Sequence, residues 1–258
     1  MEAALPRAHY VDGEAFDIER DMLRREWTCL GRVDELGLGQ LSRVVAVQFH
    51  GESILLTRDE GGLHALANVC RHRGSQLVAQ QAAACSMQVI RCPYHSWTYA
   101  LDGTLLHAPH APEVDRRAFG LTTLSVQAWG GWVWVAENPP MPLLEQLGPI
   151  PGRIERYPLA ELVLGTRLHY RVRANWKVIA ENYNECYHCG PVHPELCRLV
   201  PSFAGGGFDL PWEDGVPHRE GAWTFTLSGT TSREPFPGLD EHERTRHKGE
   251  LIYPNLLL

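Results

Sequence analysis

The sequence predicts an α+β protein in which an all-β unit precedes a region that mixes helices and strands. Short apolar runs separated by turn residues fill residues 27–140. A stretch rich in Pro and Gly follows at 141–160. Residues 161–258 combine one helical pattern with further strand-like runs, and residues 1–26 form a helical segment at the other end. We therefore expect an N-terminal helix, a β domain, a connector and a second domain with these bounds.

Hydrophobic spacing and turn residues define the elements of the first half. Apolar residues at helical spacing predict a helix over 14–26. Asp102-Gly103 is typical of a hairpin turn. The strands that alternate with turn residues are predicted over 43–49, 53–58, 63–69, 87–91, 97–100, 121–128 and 132–136.

The second half has fewer and less regular elements. The pattern predicts a strand over 162–172, a helix over 175–187, and strands over 223–227 and 251–258. Residues 201–221 include three consecutive glycines, and we expect them to form a long loop.

Two pairs of metal-binding residues lie in the β-rich half. Cys70 and His72 read C-x-H, and Cys92 and His95 read C-x-x-H, with nineteen residues between the pairs. Two cysteines on one iron and two histidines on the other are the ligands of a Rieske [2Fe–2S] cluster. A tetrahedral zinc ion takes the same residue types. Zinc sites usually pair like residues, however, and so the sequence favours the iron–sulfur cluster.

Composition argues against several classes of function. The chain has 258 residues, a net charge of −7 and no basic patch, which argues against nucleic acid as a partner. It has no run of eighteen apolar residues and no signal-peptide pattern at its start, so we expect no membrane span and a cytoplasmic location. The five cysteines outside the two metal pairs are expected to be reduced thiols.

A second group of metal-binding residues lies near the end of the last long helix predicted. Glu185 and His188 are three residues apart and share a helix face, and His193 follows five residues later. Two histidines and a carboxylate leave open positions on iron for oxygen and substrate. An isolated E-x-x-H is more often a surface ion pair, and Cys186 and Cys189 with both histidines would make a zinc site. The upstream cluster motif favours iron over these alternatives.

Together these motifs resemble the alpha subunit of the Rieske non-haem iron oxygenases, the aromatic-ring-hydroxylating family. The resemblance also rests on residues 127–135, on N-W-K beginning at Asn175 and on E-N-Y-x-E-x-Y-H beginning at Glu181. It implies a β-sheet Rieske domain and a helix-grip (SRPBCC/START-like) catalytic domain. It also implies His188 and His193 as ligands of a mononuclear Fe(II).

The resemblance assigns a separate role to one carboxylate. Family members usually have Asp at the position of Glu185. That Asp joins the iron histidine to a cluster histidine of the neighbouring subunit, and His95 matches this cluster histidine here. Glu185 is thereby implied as the electron-transfer bridge rather than the third iron ligand. The family's third ligand corresponds to a position beyond Leu258, and we therefore expect a C-terminally truncated chain. Four other carboxylates of this region are left unassigned: Asp209, Asp214, Asp240 and Glu250.

Glu at position 185 and its flanking residues look most like the branch that acts on quaternary ammonium compounds such as glycine betaine, stachydrine, carnitine and choline. The resemblance implies a Rieske oxygenase that uses O₂ to hydroxylate and N-demethylate a betaine-like compound. It further implies an NAD(P)H-dependent flavin/iron–sulfur reductase as electron donor and a homotrimer for the full-length protein. Alternatives are ring hydroxylation or O-demethylation of an aromatic acid, a non-catalytic Rieske electron carrier, and a structural zinc protein.

A quaternary ammonium group has no hydrogen to donate, so aromatic ring faces are expected to bind it by cation–π attraction. Five aromatic residues lie in the appropriate part of the chain: Phe203, Phe208, Trp212, Trp223 and Phe225.

Overall fold

In the computed structural model, which describes residues 5–80, 84–207 and 209–258, the chain opens with two short helices. These are α1, Ala8–Val11, and α2, Gly13–Arg25. The side chain of Asp12 caps α2 by accepting hydrogen bonds from the backbone N–H groups of Glu14 and Ala15, which would otherwise lack partners. The helix predicted over 14–26 is confirmed.

Ten strands follow, and seven of them form one sheet in the order β1-β10-β9-β4-β3-β2-β5. Three more form a second small sheet, β6-β7-β8. Every strand pair in both sheets is antiparallel. The strands are β1 Thr28–Arg32, β2 Arg43–Phe49, β3 Glu52–Asp59, β4 Gly62–Ala67, β5 Cys85–Ser86, β6 Ile90–Arg91, β7 Thr98–Tyr99, β8 Leu105–His107, β9 Thr123–Trp129 and β10 Trp132–Ala136.

The predicted all-β unit is confirmed, with differences at single strands. The strand predicted over 87–91 is limited to β6, while β1, β5 and β8 lie where the sequence pattern predicted none. Strands as short as β5 and β8 carry little periodic signal, because two or three residues do not establish an alternation. The hairpin turn predicted at Asp102-Gly103 is present, but it joins β7 to β8, a strand that was not predicted.

Apolar side chains cover both faces of the large sheet. One cluster, which includes Leu55 and Leu66, extends under the small sheet to Cys70 and Cys92. The opposite face packs Val45, Leu56 and Val133 among others. Burial of apolar side chains stabilises such a sheet by about 25 cal/mol per Å². The two loops that contain the predicted cluster residues therefore rest on the rigid part of the molecule.

The second half consists mainly of short helices and two-residue strands. Its helices are α3 Leu143–Leu147, α4 Ile150–Arg153, α5 Trp176–Tyr183, α6 Cys189–Val192, α7 Pro194–Leu199 and α8 Glu241–Arg244. Its strands pair as β11 Val216–Pro217 with β12 Arg246–His247, and β13 Leu251–Ile252 with β14 Leu256–Leu257.

Three strands predicted in this half are wrong. Residues 162–172 form neither a helix nor a ladder within the described part of the chain, and Val163 and Leu168 are 80% and 72% exposed. An extended segment becomes a strand only when a partner takes up its backbone hydrogen bonds. Residues 223–227 form turns instead, and residues 251–258 fold back on themselves as the β13–β14 hairpin.

Two further predictions of this half are correct only in part. The helix predicted over 175–187 ends at Tyr183, because Asn184 leaves the helical conformation and its N–H group closes the last turn. The loop predicted over 201–221 contains a 3₁₀ helix, Pro201–Gly205, and the strand β11.

Within the described residues, no helix is long and apolar enough to span a membrane. All seven cysteines are free thiols, as predicted for those outside the metal pairs.

Candidate metal centres

Backbone hydrogen bonds hold the two predicted cluster loops in tight turns. An isolated bridge between Val69 and Gln76 closes the first loop, where the N–H group of Gly74 also donates to the Cys70 carbonyl over 3.0 Å. Gly74 has a φ of +70°, a conformation that glycine adopts without steric cost. Strands β6 and β7 close the second loop, and the N–H group of Cys92 donates to the Trp97 carbonyl over 2.8 Å.

The two loops bring the predicted cluster residues together in two pairs. Cys70 and Cys92 are each 2% exposed, and each lies close enough to affect the pKa of the other. His72 and His95 are exposed at the loop tips, with their ring centroids 4.9 Å apart. The thiols thus face the protein interior and the imidazoles face outward.

The loop backbone favours the ionised form of one of these thiols. Burial alone would raise the pKa of Cys92, but hydrogen bonds from the backbone N–H groups of Tyr94 and His95, together with those from the Cys70 and Ser75 side chains, lower that pKa below its usual value. Burial raises the pKa of Cys70, so the first negative charge settles on Cys92. Thiolates are the form that binds metals.

Two aromatic side chains behind the loops support the pairs, and neither was predicted. The Tyr99 hydroxyl lies 3.3 Å from Cys70 Sγ and accepts a hydrogen bond from the Arg71 backbone N–H group over 3.1 Å. The indole ring of Trp97 stacks on the His72 ring with a centroid distance of 5.0 Å and an angle of 7°. Both residues follow Cys92 within seven positions, but their spacing alone indicates no such contacts.

The paired arrangement fits a two-iron cluster better than one zinc ion. Across residues 5–80, 84–207 and 209–258, no three His, Cys, Asp or Glu side chains converge on a single ion. Tetrahedral zinc needs four donors around one point, whereas a Rieske cluster takes two cysteines on one iron and two histidines on the other. The structure therefore gives no support to the zinc alternative at this site.

Helix α5 leads into the second candidate centre. Asn175 caps the helix by accepting a hydrogen bond from the Lys177 N–H group over 3.0 Å. Beyond the helix, Glu185 Oε1 lies 2.6 Å from His188 Nδ1, and its other oxygen accepts from the Tyr187 N–H group. Hydrogen bonding to His188 holds the pKa of Glu185 below its usual value, so that residue is a carboxylate near neutral pH.

The two histidines of this centre lie side by side. The ring centroids of His188 and His193 are 5.3 Å apart. Because Glu185 occupies Nδ1 of His188, Nε2 is the nitrogen that remains for a metal. In the part of the chain that the structure describes, none of the four unassigned carboxylates joins this pair. Two of them have other partners, since Asp240 caps α8 and Glu250 lies 3.3 Å from Lys248.

The neighbouring cysteines pack as apolar residues rather than as metal ligands. Cys186 and Cys189 are 9% and 4% exposed and lie in a cluster with Val200 and Phe203. Burial raises the pKa of Cys186 to about 12, so its thiolate form is disfavoured. The structure does not support the zinc site that would combine these cysteines with the two histidines.

The aromatic residues expected to bind a quaternary ammonium group pack mostly against other rings. Phe203 is buried and stacks on Trp212 at 5.8 Å, and Phe225 stacks on His247 at 4.4 Å. Trp223 is 45% exposed. Phe208 lies outside the described residues. A cation would reach the covered faces only after these rings separate, and their role in binding stays a prediction.

Two histidines near these rings were not predicted as part of the site from the sequence. Burial lowers the pKa of His247 to about 4 and also lowers that of His218, so both are neutral near pH 7. Both ring nitrogens of His218 are buried and have no hydrogen-bond partner within the described residues. Single histidines at positions 218 and 247 give no spacing pattern that could have indicated this.

Comparison with known proteins identifies the family. The model of the Rieske [2Fe-2S] domain matches residues 26–124, and that of the ring hydroxylating alpha subunit (catalytic domain) matches residues 159–258. The chain belongs to the Rieske oxygenase alpha subunits. This confirms the predicted family and the α+β fold class, a Rieske domain followed by a catalytic domain. These domains imply the two predicted cofactors, a Rieske cluster and a mononuclear iron.

Similar proteins point to one branch of this family. The glycine betaine monooxygenase oxygenase subunit of Pseudomonas aeruginosa (strain UCBPP-PA14) is 34% identical over 222 residues, which cover 84% of this chain and 48% of that protein. The carnitine monooxygenase oxygenase subunit of Escherichia coli (strain K12) is 36% identical over 236 residues, which cover 84% of this chain and 62% of that protein. The crystal structure of the quaternary ammonium Rieske monooxygenase CntA with L-carnitine superposes with a TM-score of 0.66 at 32% identity, covering 74% of this chain and 56% of that one. The chain spans between 48% and 62% of the length of these relatives.

Proposed function

We propose that this chain is part of the oxygenase component of a Rieske monooxygenase that N-demethylates a small quaternary ammonium compound. The observation that supports this most strongly is the coexistence of two metal-binding constellations in one chain. One is the pairing of Cys70 with Cys92 and of His72 with His95. The other is the His188–His193 pair, and an electron carrier would not need it.

In this proposal Cys70 and Cys92 bind one iron of the cluster, and His72 and His95 bind the other. The buried thiols and exposed imidazoles fit that division, because they place the histidine side at the surface where electrons enter and leave. Stacking of Trp97 on His72 fixes the orientation of that ring. The histidines raise the reduction potential of such clusters to about −150 to +300 mV.

His188 and His193 would hold the mononuclear iron, and the iron would supply the activation of O₂ when it is bound. Glu185 orients His188 through its 2.6 Å contact with Nδ1. A ligand set of two histidines leaves the iron open to further oxygen ligands and to substrate.

Glu185 is further proposed as the bridge by which an electron crosses between subunits. No hydrogen bond joins Glu185 to His95 among the described residues of this single chain. Both side chains reach the surface, which suits a contact between two copies of the chain. A related quaternary ammonium Rieske monooxygenase is described as showing inter-subunit electron transfer. We therefore propose a homotrimer supplied by an NAD(P)H-dependent flavin/iron–sulfur reductase.

The proposed substrate class comes from the relatives, which act on glycine betaine and carnitine. In the proposed reaction an N-methyl C–H bond becomes C–OH, one O₂ and two electrons with two protons are consumed, and one water is released. The carbinolamine that forms then releases formaldehyde and leaves the amine with one methyl group fewer.

The predicted domain bounds and the cytoplasmic location also stay proposals.

Substrate-dependent formation of formaldehyde tests this function. The protein, loaded with cluster and iron and supplied with NADH and a reductase, would be incubated with glycine betaine, carnitine or an aromatic acid such as benzoate. The proposal predicts formaldehyde and a demethylated amine from a betaine only. Ring hydroxylation or O-demethylation of the aromatic acid would show that the protein acts on aromatic acids instead. If the iron-loaded protein turned over none of these compounds, the result would favour the alternative of a non-catalytic electron carrier.

A further inference from the structure

The helix that leads into the His188 site is tied to the opposite end of the chain. Lys177, on the first turn of α5, is 8% exposed and donates hydrogen bonds to both carboxylate oxygens of Glu19 over 2.6 Å. The indole N–H group of Trp176 donates to Glu19 as well, over 3.1 Å. A single carboxylate on α2 thus accepts three hydrogen bonds from two consecutive residues of α5.

Tyr10 adds a second point of attachment. Its hydroxyl donates to Glu181 Oε1 over 2.6 Å, and its carbonyl accepts from the Asn175 side chain over 3.1 Å. Its ring also lies 5.6 Å from the Lys177 ammonium, within the range of cation–π attraction. The N-terminal segment therefore contacts α5 near both ends of the helix.

The same N-terminal helix is fixed to the Rieske domain. Arg24 Nε donates to Glu137 Oε2 over 2.7 Å, and the Arg24 carbonyl accepts from the Glu137 N–H group over 2.7 Å. Trp27, just beyond α2, is 3% exposed and donates its indole N–H group to the Met141 carbonyl. Helix α2 therefore connects the rigid sheet to the helix that precedes Glu185 and His188.

From these contacts we infer that Glu19 is a positioning residue for the proposed mononuclear iron site. The Glu19–Lys177 pair, with side chains 15% and 10% exposed, anchors α5 to α2. Helix α5 in turn fixes where the following segment, residues 184–193, presents Glu185 and His188. The inference rests on the proposed function, because His188 and His193 are assumed to hold the metal. Ligand orientation by supporting residues commonly changes metal affinity about 10–100-fold.

A buried ion pair suits this task better than an apolar contact. Leaving the Lys177 ammonium buried without its carboxylate would be strongly unfavourable, so α5 has to keep one register and one distance from α2. Hydrogen bonding from Lys177 holds the pKa of Glu19 below its usual value, which keeps the pair ionised at neutral pH.

The test compares Glu19→Gln with a matched control on the same helix, Asp17→Asn. Asp17 forms a pair with Arg20 at 3.1 Å on the same helix, and its side chain is 63% exposed. Both variants of the cluster-loaded protein would be titrated with Co(II), following the visible absorption of the His188 site. Hydrogen exchange of residues 176–193 would be measured in parallel, because it requires no metal.

For Glu19→Gln we expect about tenfold weaker Co(II) binding and faster exchange over residues 176–193, with an unchanged Rieske EPR spectrum. Asp17→Asn should match the wild type in all three measurements. Tyr10→Phe, which removes one hydroxyl only, should show a smaller change in the same direction. It replaces Glu19→Gln as the test if that variant fails to fold.

Two results would overturn the inference: unchanged exchange and Co(II) affinity in Glu19→Gln, or equal losses of cluster and Co(II) binding, which would indicate general destabilisation. Failure of the proposed function gives a different result. If the His188→Ala variant bound Co(II) as tightly as the wild type, the assignment of His188 as a metal ligand would be wrong. Faster exchange in Glu19→Gln would then still show that Glu19 positions this segment.

Discussion

Replacing Tyr99 by Phe removes one hydroxyl from the buried side of the proposed cluster. Tyr99 is fully buried, and its hydroxyl lies 3.3 Å from Cys70 Sγ. A cysteine bound to iron is deprotonated and can only accept, so the hydroxyl must donate to the sulfur. Such a hydrogen bond stabilises the reduced cluster more than the oxidised one, because reduction adds negative charge. Its loss should therefore lower the reduction potential.

The size of this effect follows from the energy of one hydrogen bond. A net contribution of about 0.5–1.5 kcal/mol corresponds to a decrease of about 20–65 mV for a one-electron couple. The Arg71 backbone N–H group also loses its acceptor, which should destabilise the fold by about 1–3 kcal/mol.

The measurement is a redox titration of the cluster followed by EPR, at fixed pH and salt. Tyr94→Phe is the matched control, because Tyr94 lies in the second loop but is 61% exposed. Its potential should equal that of the wild type. A Tyr99→Phe potential that is unchanged or higher would refute the hydrogen bond to sulfur and with it the assignment of Cys70.

Three other changes test different parts of the molecule. Glu185→Gln should leave the cluster spectrum intact but slow cluster reoxidation in a single turnover about 10–100-fold, whereas exposed Glu195→Gln should not; equal rates would contradict the bridge. Leu66→Ala should destabilise the sheet by about 2–5 kcal/mol in urea unfolding, against about 0.5 kcal/mol or less for exposed Leu106→Ala; a small loss would mean that the core relaxes. Glu19→Gln should lower the free energy of unfolding, and the difference from the wild type should be largest above pH 4.5, because the pKa of Glu19 is lowered in the folded protein. The difference should shrink as the pH falls below 4.5; a difference that does not depend on pH would contradict the ion pair.

The sequence predicted the parts of the site that depend on short segments. Cys70 and His72 share one loop and Cys92 and His95 another, so their spacing alone indicates that each pair can reach a common metal centre. Glu185 contacts His188 three residues away for the same reason. Resemblance to a known family then supplied the roles that spacing could not distinguish.

Long-range placement explains most of what the sequence did not predict. Lys177 and Glu19 are 158 residues apart, and nothing in either local pattern indicates that they meet. The strand expected over 162–172 has the right composition, but strand formation depends on a partner that composition does not identify. Similarly, the stacking of Phe225 on His247 follows from the packing of distant turns.

Metal analysis of the anaerobically purified chain, combined with EPR after dithionite reduction, tests whether the two loops hold a Rieske cluster. We predict about two cluster irons per chain with a Rieske-type signal, and loss of that signal in His72→Ala and His95→Ala. Additional iron that is lost in His188→Ala would place the mononuclear site as proposed. A colourless protein that contains zinc and shows no EPR signal would rule out the proposed cluster.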